Sequence, residues 1–141
     1  MNELAVIRAR EAEEGRLFGR GLAFPVRLDG QGRVAWSVGA TSVRESIRII
    51  LTTEPGERLN LPEFGARLRG FLFSPNTPAT RRLVRDEIEG ALRRWEPRIS
   101  LIGVTVDPDD IDERTAIATV RYSLVATRAA DQLQLRVTLG A

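Results

Sequence analysis

The hydrophobic positions of this chain follow two periodicities, and each predicts a different kind of element. Residues 24–28 and 34–38 alternate apolar and polar side chains at period two. The sequence Asp29-Gly30-Gln31-Gly32 lies between these runs and supplies the glycines of a tight turn. Two alternating runs around such a turn predict a β-hairpin.

Two later segments place apolar residues at helical spacing. In the first segment these residues are Val43, Ile47, Ile50 and Leu51. Ser42 is the predicted N-cap of the first helix, because Glu45 follows three positions later and completes a capping box. The second helix is predicted to begin at Thr77-Pro78 and to end before Pro97. Its predicted apolar face consists of Val84, Ile88, Ala91 and Trp95, with Leu92 beside them, and we expect this face to be buried against a sheet.

The C-terminal third predicts three strands. Residues 99–106 are apolar on both faces, which indicates a covered or central strand. Residues 115–124 and 132–139 alternate cleanly, as half-buried strands do. We therefore predict an α+β fold in which a small mixed or antiparallel sheet combines the N-terminal hairpin with three C-terminal strands. Two main helices pack on one face of that sheet.

The chain is predicted to contain one domain and an arm. Residues 1–20 carry mixed charges and no strong apolar stripe, so we expect an N-terminal arm that partners help to order. Residues 21–141 have the length of a single domain. No signal peptide is apparent, and no apolar run approaches the roughly 18 residues of a membrane span. We therefore expect synthesis in the cytoplasm and no membrane partner.

Composition narrows the possible chemistry. All 21 basic residues are arginine, and 19 acidic residues leave a formal charge of +2. The arginines are dispersed among the acids, which gives little support to nucleic-acid binding. The chain has no cysteine and no histidine, which removes disulfides and the commonest metal ligand and general base. We predict no cofactor and no metal site; the acidic turn 107–113 lacks the calcium-loop pattern.

The segment 54–65 is the most informative stretch, because it is dense in Pro, Gly, Glu and Arg yet interleaved with apolar residues. Its glutamates, together with Glu96, raise the possibility of glycoside hydrolysis, which needs one protonated and one ionised carboxyl group. Each lies within a few residues of an arginine, and that pairing favours the ionised carboxylate over the general acid. The pattern therefore argues against an enzyme. We name residues 54–65 the motif loop; its candidate site residues are Glu54, Pro55, Gly56, Glu57, Arg58, Pro62, Glu63, Phe64 and Gly65.

The sequence Glu96-Pro97-Arg98 allows two interpretations. It ends a helix and begins a strand, so the two charges can pin the helix–strand junction internally. A glutamate and an arginine held beside a rigid proline can also dock a partner through charge-assisted hydrogen bonds. The residues alone leave both interpretations open.

These motifs together resemble a known family. Glu54-Pro-Gly-Glu-Arg58, Leu61-Pro-Glu-Phe-Gly65, Phe71-Leu-Phe73 and Trp95-Glu-Pro-Arg98, at their mutual spacing, are similar to the sheath-initiator or baseplate wedge family of contractile tails. The resemblance covers about residues 20–139. The family occurs in contractile phages, in extracellular contractile injection particles and, in divergent form, in type VI secretion baseplates. Older descriptions call it lysozyme-like.

The resemblance implies a structural role. Such a protein joins the baseplate wedge to the first sheath ring in a six-fold assembly and templates the sheath by accepting strands from sheath subunits. Glu96, Pro97 and Arg98 are then the contact with the wedge core, and inner-tube or spike-hub proteins are further partners. The final location is an assembled tail or particle. For the accepting strand we expect 132–139 or the hairpin strand 33–38. A type VI baseplate subunit and a peptidoglycan-cleaving enzyme remain the alternatives.

Overall fold

The α+β class is confirmed in the computed structural model, which describes residues 5–6, 9, 12–13, 16–17, 19–22, 26–34 and 36–140. The chain forms two compact units, Met1–Ser46 and Ile47–Ala141. The predicted division into an arm and a domain 21–141 stays a prediction. In chain order the elements are β1 Arg20–Leu22, β2 Trp36–Val38, α1 Gly39–Thr52, a 3-10 turn Leu68–Phe71, α2 Pro78–Trp95, β3 Ile99–Pro108, β4 Thr115–Leu124 and β5 Ala130–Thr138.

The first unit contains the predicted hairpin. β1 pairs antiparallel with β2, and Leu28 bridges Val34 closer to the turn. Asp29 closes that turn, because its Oδ1 accepts hydrogen bonds from the backbone N–H groups of Gln31 at 2.9 Å and Arg33 at 3.0 Å. These two hydrogen bonds hold the pKa of Asp29 below its usual value, and the bond from Arg33 has the larger effect. The described residues between 5 and 17 are helical and exposed.

The hairpin differs from the prediction in two respects. Its first strand is β1, at residues 20–22, whereas the alternating pattern predicted residues 24–28; residues 23–25 lie outside the described part of the chain. Among the described residues, β1 and β2 form a two-stranded sheet of their own, and the three C-terminal strands form a separate sheet, whereas one sheet was predicted. Alternation marks strands, but it does not specify which strands share a sheet.

Helix α1 begins earlier than predicted. It starts at Gly39, whose φ of 67° lies in the left-handed region that favours glycine. Ser42 therefore lies inside the helix and is buried, so the prediction of Ser42 as N-cap is wrong. The predicted apolar face is confirmed, since its members Val43, Ile47, Ile50 and Leu51 are all buried.

Helix α2 is confirmed at both ends. The Thr77 side chain accepts a hydrogen bond from the Thr80 N–H at 3.2 Å, and Pro78 occupies the first helical position. Four of the five predicted core residues are buried, namely Val84, Ile88, Ala91 and Leu92. Trp95 is only partly buried, and its ring faces the motif loop. The prediction that Trp95 is buried against the sheet is therefore wrong.

The three C-terminal strands form an antiparallel sheet in the order β3-β4-β5. β4 is the central strand, and β3 is an edge strand against which α2 packs. Residues 99–106 were predicted to be covered or central, and of these two alternatives the central position is wrong. Ile102 is responsible for the misleading pattern: it sits at an irregularity between Leu101 and Gly103 and is 54% exposed. The core-facing residues of β4 and β5 are Ala116, Ala118, Val120, Tyr122, Leu124, Leu133 and Val137.

The backbone direction on the outer edge of β5 follows from one hydrogen bond at the end of the strand. The Leu139 N–H donates to the Arg114 carbonyl oxygen at 2.6 Å, and backbone groups alternate in direction along a strand. The strand register then directs the N–H and C=O groups of Gln132, Gln134 and Arg136 away from β4. In the described part of the chain, only the Pro75–Gly140 bridge lies beyond this edge, past the end of β5. The outer edge of β5 is therefore open along most of its length.

Candidate partner-binding site at the motif loop and the helix–strand junction

The motif loop is folded by its own backbone. The Gly56 N–H donates to the Pro62 carbonyl oxygen at 2.6 Å, which closes the loop at its base. Two tighter turns lie at its ends, where the Glu57 N–H donates to the Glu54 oxygen at 3.1 Å and the Phe64 N–H donates to the Leu61 oxygen at 3.0 Å. These three hydrogen bonds fold the motif loop into two turns within a closed base.

Gly65 joins the end of the motif loop to the segment that follows α1. The next residue, Ala66, donates its N–H to the Thr53 carbonyl oxygen at 2.9 Å. A Cβ atom placed on Gly65 would lie 2.1 Å from that same oxygen, and φ at Gly65 is +119°. Only glycine fits both the space and the backbone conformation.

The motif loop is held to the end of α2 by stacked side chains. The Arg58 guanidinium lies 4.1 Å from the centre of the Phe64 ring. The Phe64 ring packs against the Trp95 ring, with 5.2 Å between the ring centres and an angle of 59° between the ring planes. The Arg94 guanidinium covers the Trp95 ring at 4.8 Å, and its Nη2 donates to the Glu63 carboxylate. Cation–π and aromatic contacts of this kind stabilise by about 0.5–1.5 kcal/mol each. Trp95 therefore anchors the motif loop.

The carboxylates of the motif loop and of the facing helix are engaged in structural contacts. Glu54 Oε1 accepts the Arg69 N–H at 2.7 Å, and Glu57 Oε1 lies 3.0 Å from Arg69 Nη1. On α2, Glu87 Oε1 accepts the Arg67 N–H at 3.0 Å. These contacts fix the loop and the 3-10 turn against each other. Glu63 and Glu87 line the same cleft between the motif loop and α2, but each carboxylate already accepts a hydrogen bond, Glu63 from Arg94 and Glu87 from the Arg67 N–H.

Glu96 and Arg98 form an ion pair across Pro97. Arg98 Nε donates to Glu96 Oε1 at 2.6 Å, and Nη2 donates to Oε2 at 2.7 Å. The Glu96 side chain is 1% exposed and that of Arg98 is 29% exposed. This hydrogen bonding raises the pKa of the Arg98 guanidinium above its usual value, although burial acts in the opposite direction.

The surrounding backbone completes the junction. The Glu96 N–H donates to the Leu92 oxygen at 2.9 Å, and the Arg98 carbonyl oxygen accepts the Val125 N–H at 2.9 Å. The structure therefore supports the interpretation that the motif pins helix to strand. Docking by these residues stays a prediction, and the surface available for it consists of exposed Pro97 and the exposed part of Arg98.

Two clefts near the motif loop and β5 were not predicted from the sequence. One, of about 320 Å³, lies between the motif loop and α2 and includes Gly90 in its lining. The other, of about 210 Å³, is lined by Leu135–Thr138 of β5 together with Leu51, Leu68 and Leu72. The apolar positions at 68 and 72 were visible in sequence, but their approach to β5 depends on the tertiary fold.

Within the described residues, no group of three or more potential ligands could hold a metal ion. No described helix has the length and apolar character needed to cross a membrane.

The fold and site define a protein whose charged motifs stabilise a rigid scaffold with an open sheet edge. The profile of the family described as Baseplate wedge protein gp25 matches residues 37–129, and the chain belongs to this family. It is 38% identical over 100 residues to Baseplate wedge protein gp25 of Enterobacteria phage T4, covering 71% of this chain and 75% of that protein.

Solved structures with a similar fold include a baseplate component and a tail protein. The chain matches a component of the anti-feeding prophage baseplate, solved with six-fold symmetry, with a TM-score of 0.74 and 28% identity over 79% of this chain and 90% of that one. It also matches a protein from Geobacter sulfurreducens described as a tail lysozyme, with a TM-score of 0.65 and 35% identity over 71% of this chain and 90% of the other.

Proposed function

We propose that this wedge-family protein joins the baseplate wedge of a contractile tail or extracellular injection particle to the first sheath ring and templates sheath assembly there. Membership of the baseplate wedge family supports the location, as does similarity to a baseplate component of the anti-feeding prophage. In this proposal the protein is a structural component of a six-fold assembly, with wedge, sheath and inner-tube or spike-hub proteins as its partners.

The observation that carries the sheath contact is the open outer edge of β5. Its outward N–H and C=O groups at Gln132, Gln134 and Arg136 offer the hydrogen bonds that an added strand needs. Beside this edge lies the cleft of about 210 Å³ with Leu68 and Leu72, which can receive alternate apolar side chains of that strand. A sheath segment adding here would gain main-chain bonds with little demand on its sequence.

The wedge contact is proposed for the motif loop and the junction. The Glu96–Arg98 pair fixes the position of Pro97, and the stack on Trp95 fixes the motif loop. Leu59 projects from this loop with 96% exposure. A large apolar side chain on a rigid loop loses little conformational entropy when a partner covers it. Docking through this surface therefore requires the internal ion pair as its support.

A lysozyme-like enzyme is the alternative from a different class, and a relative described as a tail lysozyme raises it. The carboxylates of Glu54, Glu57, Glu63 and Glu96 bind arginine side chains or backbone N–H groups, so each is already engaged in a contact within the protein. This favours a non-enzymatic role. Peptidoglycan clearing by the purified protein, lost on a Glu→Gln change at one of these four positions, would establish the enzyme.

Within the structural class, a type VI baseplate subunit is the alternative. The genes beside this one distinguish the two, since a membrane-complex cluster indicates type VI secretion, whereas sheath and tube genes beside an ATPase gene indicate an extracellular particle.

The strand-addition site is tested by Gln134→Pro, with Gln134→Ala as the matched control. Both changes remove the same exposed side chain, but only proline removes the outward N–H. We expect both variants to fold, as judged by circular dichroism and thermal melting. We expect Gln134→Ala alone to nucleate sheath from purified sheath subunits and baseplates. Equal nucleation by the two folded variants would reject β5 as the acceptor.

A further inference from the structure

The opposite edge of the same sheet carries a second groove with different chemistry. A cleft of about 300 Å³ is lined by the five consecutive residues Val104–Pro108 of β3 and by the first half of α2. Successive side chains of a strand point to opposite faces, so a cleft that touches all five residues lies at the strand edge. β4 covers the other edge of β3, and the groove therefore follows the open one.

The backbone of β3 offers hydrogen bonds to this groove. The Asp109 N–H donates to the Thr115 oxygen at 2.9 Å, which fixes the residues of β3 that face β4. By alternation, Val104 and Val106 direct both N–H and C=O away from β4. Pro108 has no N–H and ends this row of donors. Donors and acceptors in alternation match an extended peptide backbone.

Arginines from α2 line the other wall of the groove. Arg81 donates hydrogen bonds to the backbone carbonyl oxygen and to the side-chain Oδ1 of Asn76. Arg85 forms an ion pair in which its Nη2 lies 2.9 Å from Asp86 Oδ1. Arg82 has no carboxylate partner among the described residues and is exposed. Only one acidic residue, Asp107, lines the groove. No acid occupies the first turn of α2, where negative charge would favour the helix dipole, so the groove is basic.

We propose that this basic groove binds an extended acidic segment of a partner protein, which adds to β3 as a strand and places a carboxylate on Arg82. Charge complementarity selects an acidic partner. The backbone favours a peptide over nucleic acid, because phosphate oxygens only accept hydrogen bonds and cannot pair with the outward carbonyl groups. This site is distinct from the proposed sheath-strand site, which lies on β5.

The test titrates the full chain with a short peptide that has blocked termini and alternates valine and glutamate. Binding is measured by the changes in the NMR chemical shifts of the protein's backbone amides. We expect the largest shifts at Val104 and Val106, and no binding by the same peptide with lysine in place of glutamate. Arg82→Glu should weaken binding roughly three- to tenfold, since it replaces an attractive surface pair by a repulsive one. Arg93→Glu, an equal charge change on the same helix beyond the groove, should leave the affinity unchanged.

The outcomes are distinguishable from those of the β5 test. The Gln134→Pro variant should still bind the acidic peptide, because the substitution changes the edge at β5 and leaves the edge at β3 unchanged. The proposal is overturned by no binding, by shifts confined to residues away from β3, by equal loss in Arg82→Glu and Arg93→Glu, or by a single-stranded oligonucleotide that shifts the same amides more strongly than the peptide. Shifts elsewhere that match the unmodified protein establish that each variant is folded.

Discussion

The Arg98 guanidinium donates two hydrogen bonds to the buried Glu96 carboxylate, with donor–acceptor distances of 2.6 and 2.7 Å. Pro97 lies between these two residues in the chain. Two-point pairs of this kind combine strong hydrogen bonds with fixed geometry. The motif is therefore first a part of the fold, and any contact that it makes with a partner depends on this internal pair.

Arg98→Ala should lower the free energy of unfolding by about 3 kcal/mol, because it leaves the Glu96 carboxylate buried without its main partner. Arg98→Lys should restore only part of this loss, since an ammonium group cannot reproduce the two-point geometry. Denaturant unfolding measures both. Unchanged unfolding midpoints in both variants would mean that the pair does not pin the junction, and would leave only the docking role.

Gly65→Ala should destabilise the protein by more than about 2 kcal/mol, because the new Cβ would meet the Thr53 oxygen in a strained backbone conformation. Gly70→Ala is the matched control, since open space surrounds Gly70 and its φ is not positive. Thermal melting of the two variants checks the prediction. Equal melting temperatures would contradict the close approach of Gly65 to Thr53.

Phe64 and Trp95 should be energetically coupled. A double-mutant cycle of Phe64→Leu and Trp95→Leu is expected to give a coupling free energy of about 0.5–1.5 kcal/mol, the range for packed aromatic pairs. Pairing Phe64→Leu with Leu83→Ala, an exposed position on α2, provides the control cycle and should give no coupling. Additive effects in the first cycle would show that the motif loop is not anchored through these rings.

Asp112 should make stability depend on acid pH. The Thr115 hydroxyl, followed by the Arg114 N–H, holds the pKa of Asp112 below its usual value of 3.8. A lowered pKa in the folded state contributes stability above the unfolded value and loses it as pH falls through the folded value. The difference in melting temperature between the unmodified protein and Asp112→Asn should therefore shrink as pH falls below 3.8. Asp110→Asn, an exposed neighbour, is the control, and a difference that stays constant with pH would contradict the assignment.

Local signals in the sequence predicted the elements well. Thr77-Pro78 and Pro97 marked α2 because capping and proline chemistry act within a few residues, and alternation marked β4 and β5 for the same reason. Ser42 misled because its capping box lies within a helix that Gly39 begins. β3 misled because a bulge exposes Ile102, which the pattern counted as buried.

The site depended more on tertiary contacts. The sequence singled out the motif loop and Glu96-Pro97-Arg98, but spacing alone could not reveal that Glu96 binds Arg98 or that Trp95 faces Phe64 rather than the sheet. The two edge grooves arise where separate segments meet β3 and β5, and no local pattern encodes such a meeting. Strand order, which decides the open edges, is likewise a property of the whole sheet.

The proposed role in templating the sheath is tested most directly by an image of the assembled particle at residue resolution. We expect a strand of a sheath subunit to be hydrogen-bonded to the outer edge of β5, with main-chain bonds at Gln132, Gln134 and Arg136, while the motif loop and Pro97 face the wedge proteins. A particle in which the β5 edge faces solvent or the wedge, and the sheath contacts this protein through side chains elsewhere, would contradict the proposed role in templating the sheath.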